Sequence, residues 1–234
     1  MIHKILSVSL AFLCFLAMGG CHENDRAFQA HVPRQHAVDQ NEAAVNAVRE
    51  GDLDSALEYA EEAVTDDPEY AAFYINKAII QAHMGELEAA VATLKFCMDN
   101  TCHRNTREAS QMFLLLGIFQ ENLKRPAEAR EAYDEAIKLV ELEDSIAAGE
   151  SNLVVQLAIA QYLRGNTVDG LKTLNNLLAV FPENHPARMA KARLLANDRQ
   201  YFIRWATAPV RLEADDDTMD NPPLPLESEL SLAL

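Results

Sequence analysis

Residues 71–98 read AAFYINKAIIQAHMGELEAAVATLKFCM, and this stretch decides the fold. Apolar residues recur three and four apart on both sides of Gly85, the pattern of two amphipathic helices rather than of a strand. Gly85 stands where the first helix has to stop, because a glycine closes such a turn at positive φ without strain. Small residues occupy Ala78 in the first half and Ala90 in the second, where two helices that cross closely leave no room for larger ones. The spacing predicts helices over 69–84 and 86–98.

The same arrangement recurs along the chain. One unit holds Gly51-Asp52-Leu53, Ala56, Ala60, Ala63 and Pro68; the next holds Gly85-Glu86-Leu87, Ala90, Leu94 and Cys97. A third has Leu116-Gly117, Lys124, Ala129, Tyr133 and Ala136, and a fourth Gly165, Gly170, Leu174, Leu177 and Pro182. Offsets from turn residue to small residue to bulky residue stay constant, the signature of a repeat array. Further helices are predicted over 41–50, 52–66, 106–123, 126–142, 150–164 and 167–181. Pro186 opens one more, over 186–206, expected to cap the array with a polar outer face. Tyr201, Phe202 and Trp205 near its end are expected to seal the last unit.

These units resemble the tetratricopeptide repeat, a helix–turn–helix module of 34 residues. Ala78 and Gly117 match its small position in first helices, Ala56, Ala63, Ala90, Ala129 and Ala136 its small positions in second helices, and Tyr74 and Phe113 its early aromatic. Gly170 departs from the expected alanine, and the second and third units lack a closing proline. The resemblance implies an all-α, right-handed superhelical solenoid of about four repeats plus a C-terminal capping helix, over 41–206. It also implies a concave groove lined by first helices, which binds a protein partner. Matched residue by residue, that groove falls on Ile75, Ile79, His83, Leu114, Ile118, Glu121, Asn122, Val155, Ile159 and Tyr162. The first helices over 112–119 and 153–163 are apolar almost all round, so both sides need cover. One side packs on its second helix. The other is closed by the superhelix or the capping helix, or is filled by an apolar or amphipathic partner segment.

The N-terminus is an address. Residues 1–20 hold Lys4 and then an uncharged run that is short for a membrane span and ends in small residues, as a signal peptide does. The end Leu16-Ala17-Met18-Gly19-Gly20-Cys21 resembles a bacterial lipobox, which implies lipidation (palmitate) of Cys21. His22 rather than Asp follows, which points to the outer membrane, facing the periplasm. Residues 21–40 then read as the lipidated cysteine and a flexible linker, and the loosely spaced His22, His31 and His36 within it read as solvated side chains rather than a metal cluster. Architecture and anchor together resemble the repeat lipoproteins of pilus and secretion-system assembly.

Four cysteines thus divide into Cys14 in the signal, Cys21 at the anchor, and Cys97 with Cys102. The last two read as a disulfide in an exported protein. Cys97–His103 also has the form of an expanded haem-attachment site, with four residues between the cysteines in place of the usual two, so a c-type haem protein stands as an alternative. A regulator of peptidoglycan hydrolases is a further one.

The chain of 234 residues carries 20 basic and 36 acidic residues, a formal charge of −16. Loss of residues 1–20 would remove Lys4 alone among these charges, leaving 19 basic and 36 acidic residues, or −17. Such a surface repels phosphate backbones, which argues against nucleic acid as partner. No nucleophile elbow, phosphate loop or zinc-protease helix is present in the sequence, so neither catalysis nor a cofactor is expected. Residues 207–234 are expected to form an acidic disordered tail: seven acidic residues and no basic one lie in 213–234, with Pro222, Pro223 and Pro225. Its leucine-rich end is expected to visit the groove of its own or a neighbouring copy, which makes homo-oligomerisation a further expectation.

Overall fold

The computed structural model describes residues 32–100 and 105–210. The readings placed on residues 1–31, 101–104 and 211–234, among them the signal peptide, Cys21, Cys102 and the acidic leucine-rich tail, lie outside the described residues. Eleven helices and no strand occur among the described residues: α1 (Gln35–Glu50), α2 (Leu53–Asp66), α3 (Ala71–His83), α4 (Leu87–Asp99), α5 (Thr106–Asn122), α6 (Pro126–Lys138), α7 (Leu142–Ala147), α8 (Ser151–Leu163), α9 (Thr167–Val180), α10 (His185–Leu195) and α11 (Arg199–Ala206). The protein is all-α, a solenoid of helix hairpins. The pairs α1–α2, α3–α4, α5–α6 and α8–α9 pack most extensively, and α2, α4 and α9 then pass to the next hairpin. The first helices also touch one another in order, α1 on α3, α3 on α5, α5 on α8 and α8 on α10, so they form one continuous inner layer.

One turn is reused at every hairpin. The residue after the first helix adopts positive φ at Gly51 (80°), Gly85 (84°), Lys124 (60°), Gly165 (103°) and Asn197 (55°). Each donates its N–H to the carbonyl three residues back, and the next residue donates to the carbonyl five back, as Gly85 does to Ala82 (3.0 Å) and Glu86 to Gln81 (2.8 Å). This Schellman pairing satisfies carbonyls that a helix end otherwise leaves open. Lys124 and Asn197 show that side-chain residues take the turn too. Asn tolerates the left-handed region better than most residues.

Counting from the turn residue aligns the units. Seven residues before it stand Ala44, Ala78, Gly117, Ala158 and Ala190; five after it stand Ala56, Ala90, Ala129, Gly170 and Phe202. In the first four hairpins the residues at both places are small and let the two helices approach. At Gly170 the approach is so close that an added Cβ would lie 2.9 Å from the Ala158 carbonyl oxygen and 3.0 Å from Leu194 Cδ2, which is why glycine replaces the alanine of the other units.

Four boundaries differ from the sequence reading. Helix α1 begins at Gln35, so residues 35–40 are not linker: Ala37 and Val38 are buried against Ala63 and Phe73, while the Arg34 backbone N–H and guanidinium reach Asp67 and the Asp66 carbonyl. The long helix expected over 126–142 ends at Lys138, and Val140 turns inward onto Leu153 and Leu157 before the short α7. The helix expected over 186–206 breaks at Asn197 into α10 and α11, because the Asn197 turn repeats the hairpin of the preceding units. Nor does the tail begin at 207, since Thr207 is buried and Val210 is hydrogen-bonded to α3.

Candidate functional site: a concave face filled by the C-terminal segment

The inner layer brings the sequence-predicted groove residues together. Ile75, Ile79, Leu114, Ile118, Val155, Ile159 and Tyr162 are all buried, and His83, Glu121 and Asn122 are half-buried. The apolar helices α5 and α8 are thus covered on both faces, as their all-round hydrophobicity requires. The C-terminal segment supplies cover on the concave side. Phe202 is fully buried, with its ring 5.2 Å from that of Tyr162, and Ile203 and Ala206 join the same core as Ile79, Ile118 and Ile159. Tyr201 and Trp205 are partly buried against that core.

The register explains why α11 lies there. In the other hairpins the second helix enters on an alanine or glycine; in the fifth that place is Phe202. A phenyl ring cannot fit a close helix crossing. Helix α11 instead meets α5 across the layer as well as α10, and the ring is buried against Tyr162.

Polar anchors fix the segment along its length. The Tyr162 hydroxyl donates to Asn197 Oδ1 (2.8 Å) and steadies the turn. Arg199 donates to the carbonyl of Leu163, at the negative end of α8 (3.2 Å), and forms an ion pair with Glu121, which also accepts from the Tyr133 hydroxyl (3.1 Å). Burial, reinforced by the neighbouring Glu121 charge, pushes the Tyr133 phenol far above its ordinary value, so it donates rather than ionises. Farther on, His83 Nε2 meets the Thr207 carbonyl at 3.0 Å. Burial lowers the His83 pKa below its usual 6.5, and its buried Nδ1 has no partner. In the neutral tautomer with the proton on Nε2, the ring donates to Thr207.

The last anchor reads main chain. Asn76, fully buried on α3, donates from Nδ2 to the Val210 carbonyl (2.8 Å) and accepts the Val210 N–H on Oδ1 (2.7 Å). Its Nδ2 also reaches Asn41 Oδ1 (2.7 Å). Pro209 prepares this pairing: it disfavours helical geometry at Ala208, so α11 does not continue past its end at Ala206. Asn76, Ile79 and His83 share one face of α3 by their spacing, so the segment that touches both polar residues passes over Ile79.

Asn76, Asn197, Arg199 and Val210 were not among the residues predicted for the groove. A buried amide inside an apolar first helix was the available signal for Asn76. The other three depend on where α11 folds back. Cys97 is fully buried within the main core at the end of α4. Among the described residues no group of histidine, cysteine and carboxylate side chains could hold a metal ion, and no helix is long and apolar enough to cross a membrane.

A repeated hairpin with one turn geometry and an inner layer of first helices defines a scaffold of helical repeats. Two tetratricopeptide-repeat family models match, one over residues 47–95 and one over residues 110–139; the chain thus contains tetratricopeptide repeats, a module that serves protein interaction. No curated protein matches the chain. Among solved structures it is similar to pilF of Pseudomonas aeruginosa at 19% identity, over 70% of each chain, with a TM-score of 0.47. It is similar to MamA at 14% identity, over 70% of this chain and 90% of that one, with a TM-score of 0.39. It is also similar to the TPR2AB domain of yeast Sti1 in complex with pHSP90, at 15% identity, over 73% and 87% of the two chains, with a TM-score of 0.41.

Proposed function

We propose that the protein is a lipid-anchored periplasmic scaffold that holds a partner protein on its concave face during assembly of an envelope machine such as a pilus or secretion system. The observation that carries the interaction role is the inner layer itself. It is a continuous apolar face with a buried amide that pairs with the main chain of the C-terminal segment, and both are features of peptide recognition in a groove. The lipobox-like stretch before Cys21 supports the anchor, and His22 after it supports the outer membrane. Cys97 within the core supports a disulfide to Cys102 over a haem, because a thioether-linked cofactor needs its thiol at an open pocket.

Photo-crosslinking in cells tests the groove. A crosslinker at half-buried Asn122, beside the Glu121 anchor, should trap an envelope protein, and one at exposed Glu62 on α2 should not. Equal trapping from both places, or none from Asn122, would overturn the reading. Labelled palmitate should enter the wild-type chain and not Cys21→Ala; label retained in the variant would remove the anchor.

A further inference from the structure

We propose that the Asn76 pairing is a peptide-binding site and that residues 207–210 are its displaceable occupant, so that the chain gates its own groove. The inference rests on the interaction role above and names how access to the face is controlled. Three observations carry it.

Asn76 takes both the N–H and the C=O of one residue, Val210. That geometry recognises any extended residue with a free N–H and reads little of its side chain, so a partner strand can replace the resident one. The site also demands an occupant. At the corresponding place, nine residues before the turn, the apolar helix α5 carries Leu115. With the groove empty, Asn76 would keep its bond to Asn41 but lose both bonds to Val210, leaving its buried Oδ1 without a donor. Finally, the resident segment is held by α1, α3, α5 and α8 through separate polar contacts at Asn197, Arg199, Thr207 and Val210. It can therefore peel from Val210 backward while the hairpins beneath keep their own core. The occupant that takes its place is an extended peptide with a small or β-branched residue at the Val210 position and a free N–H there.

A segment tethered beside its site acts at an effective concentration on the order of millimolar. A free peptide of similar affinity then binds weakly to the closed chain and readily to a released one. The probe is a fluorescein-labelled peptide of this chain's residues 205–214, followed by anisotropy. Val210→Pro in the full chain removes the N–H that Asn76 accepts. A chain ending at Ala206 is the second released form, and far-UV circular dichroism confirms that each is folded. The peptide should bind both released forms at least about tenfold more tightly than the wild type. A peptide with proline at the Val210 position should not bind, and Asn76→Ala should abolish binding to the released chain. Equal binding to wild-type and released chains would overturn the gate, and so would equal binding of the proline peptide. Absence of binding to both released forms would overturn the peptide site, while trapping from Asn122 would still stand as the separate measure of the interaction role.

Discussion

Gly117 gives its space to Tyr133: a Cβ on Gly117 would lie 2.2 Å from Tyr133 Cε1 and 2.5 Å from Cδ1. The same two places hold Ala78 with Leu94 in the second hairpin and Ala158 with Leu174 in the fourth. The third hairpin has exchanged a small-and-medium pair for a smaller-and-larger one, and Tyr133 then reaches Glu121 beneath the C-terminal segment. Gly117→Ala should therefore destabilise by about 1–3 kcal/mol despite the better helix propensity of alanine. In Gly117→Ala/Tyr133→Leu most of that cost should vanish relative to Tyr133→Leu alone. Urea unfolding of the four chains measures the coupling, and additive effects would contradict the exchange.

The second and fourth hairpins share a half-buried side-chain hydrogen bond that the third lacks. Thr93 donates to Gln81 Oε1 (2.7 Å) and Thr173 to Gln161 Oε1 (2.8 Å), each threonine eight residues after its turn. The third unit keeps Gln120 but has Ala132 at the threonine place, and Gln120 Oε1 is buried without a partner. Ala132→Thr should supply the missing hydroxyl. Compared with Ala132→Val, which has the same shape without the donor, it should be more stable by about 1 kcal/mol. Thermal unfolding of the pair checks this, and equal midpoints would mean that Gln120 is satisfied otherwise.

The His83 contact should respond to acid. Burial lowers its folded pKa below 6.5, so the unfolded chain takes up the proton more readily. The neutral ring thus contributes stability that is present above pH 6.5 and is lost as pH falls below it toward the folded pKa. Protonation would place a second N–H on Nδ1, which is buried without an acceptor. His83→Gln keeps a donor for Thr207 and removes the titration, so its stability should change less than the wild type's between pH 7.5 and 5.5. Parallel profiles would exclude His83 as the cause.

The Arg199–Glu121 ion pair is about a third exposed on both sides, so its worth is modest. A cycle of Glu121→Gln and Arg199→Met should give a coupling of about 0.5–1 kcal/mol, and less at about 1 M salt. Amide exchange across 199–210 should rise in either single variant while exchange in α2 stays unchanged. A uniform rise across all helices would instead indicate general destabilisation.

How much of this was legible beforehand follows the range of the forces involved. Gly51, Gly85 and Gly165 mark turns because φ is a property of one residue, and the helix pairs they separate end within one or two residues of their expected places. The Asn197 turn went unread because asparagine takes the left-handed region less often than glycine and so announces no break. Residues 35–40 read as linker because their polar outer face hides two inward residues, Ala37 and Val38, whose partners Ala63 and Phe73 lie far along the chain. The concave residues themselves were recoverable, since a 3.6-residue period fixes which side chains share a helix face.

The sequence by itself determined an all-α repeat, its hairpin turns, its small-residue crossings and the side chains of the inner layer, because each depends on local backbone freedom or helical period. Only the tertiary structure decided what covers that layer. Whether Asn76 meets Val210, 134 residues away, depends on Phe202 being too large for a fifth close crossing and on the path α11 takes in consequence. That balance of packing is summed over several hairpins, and no local pattern encodes it.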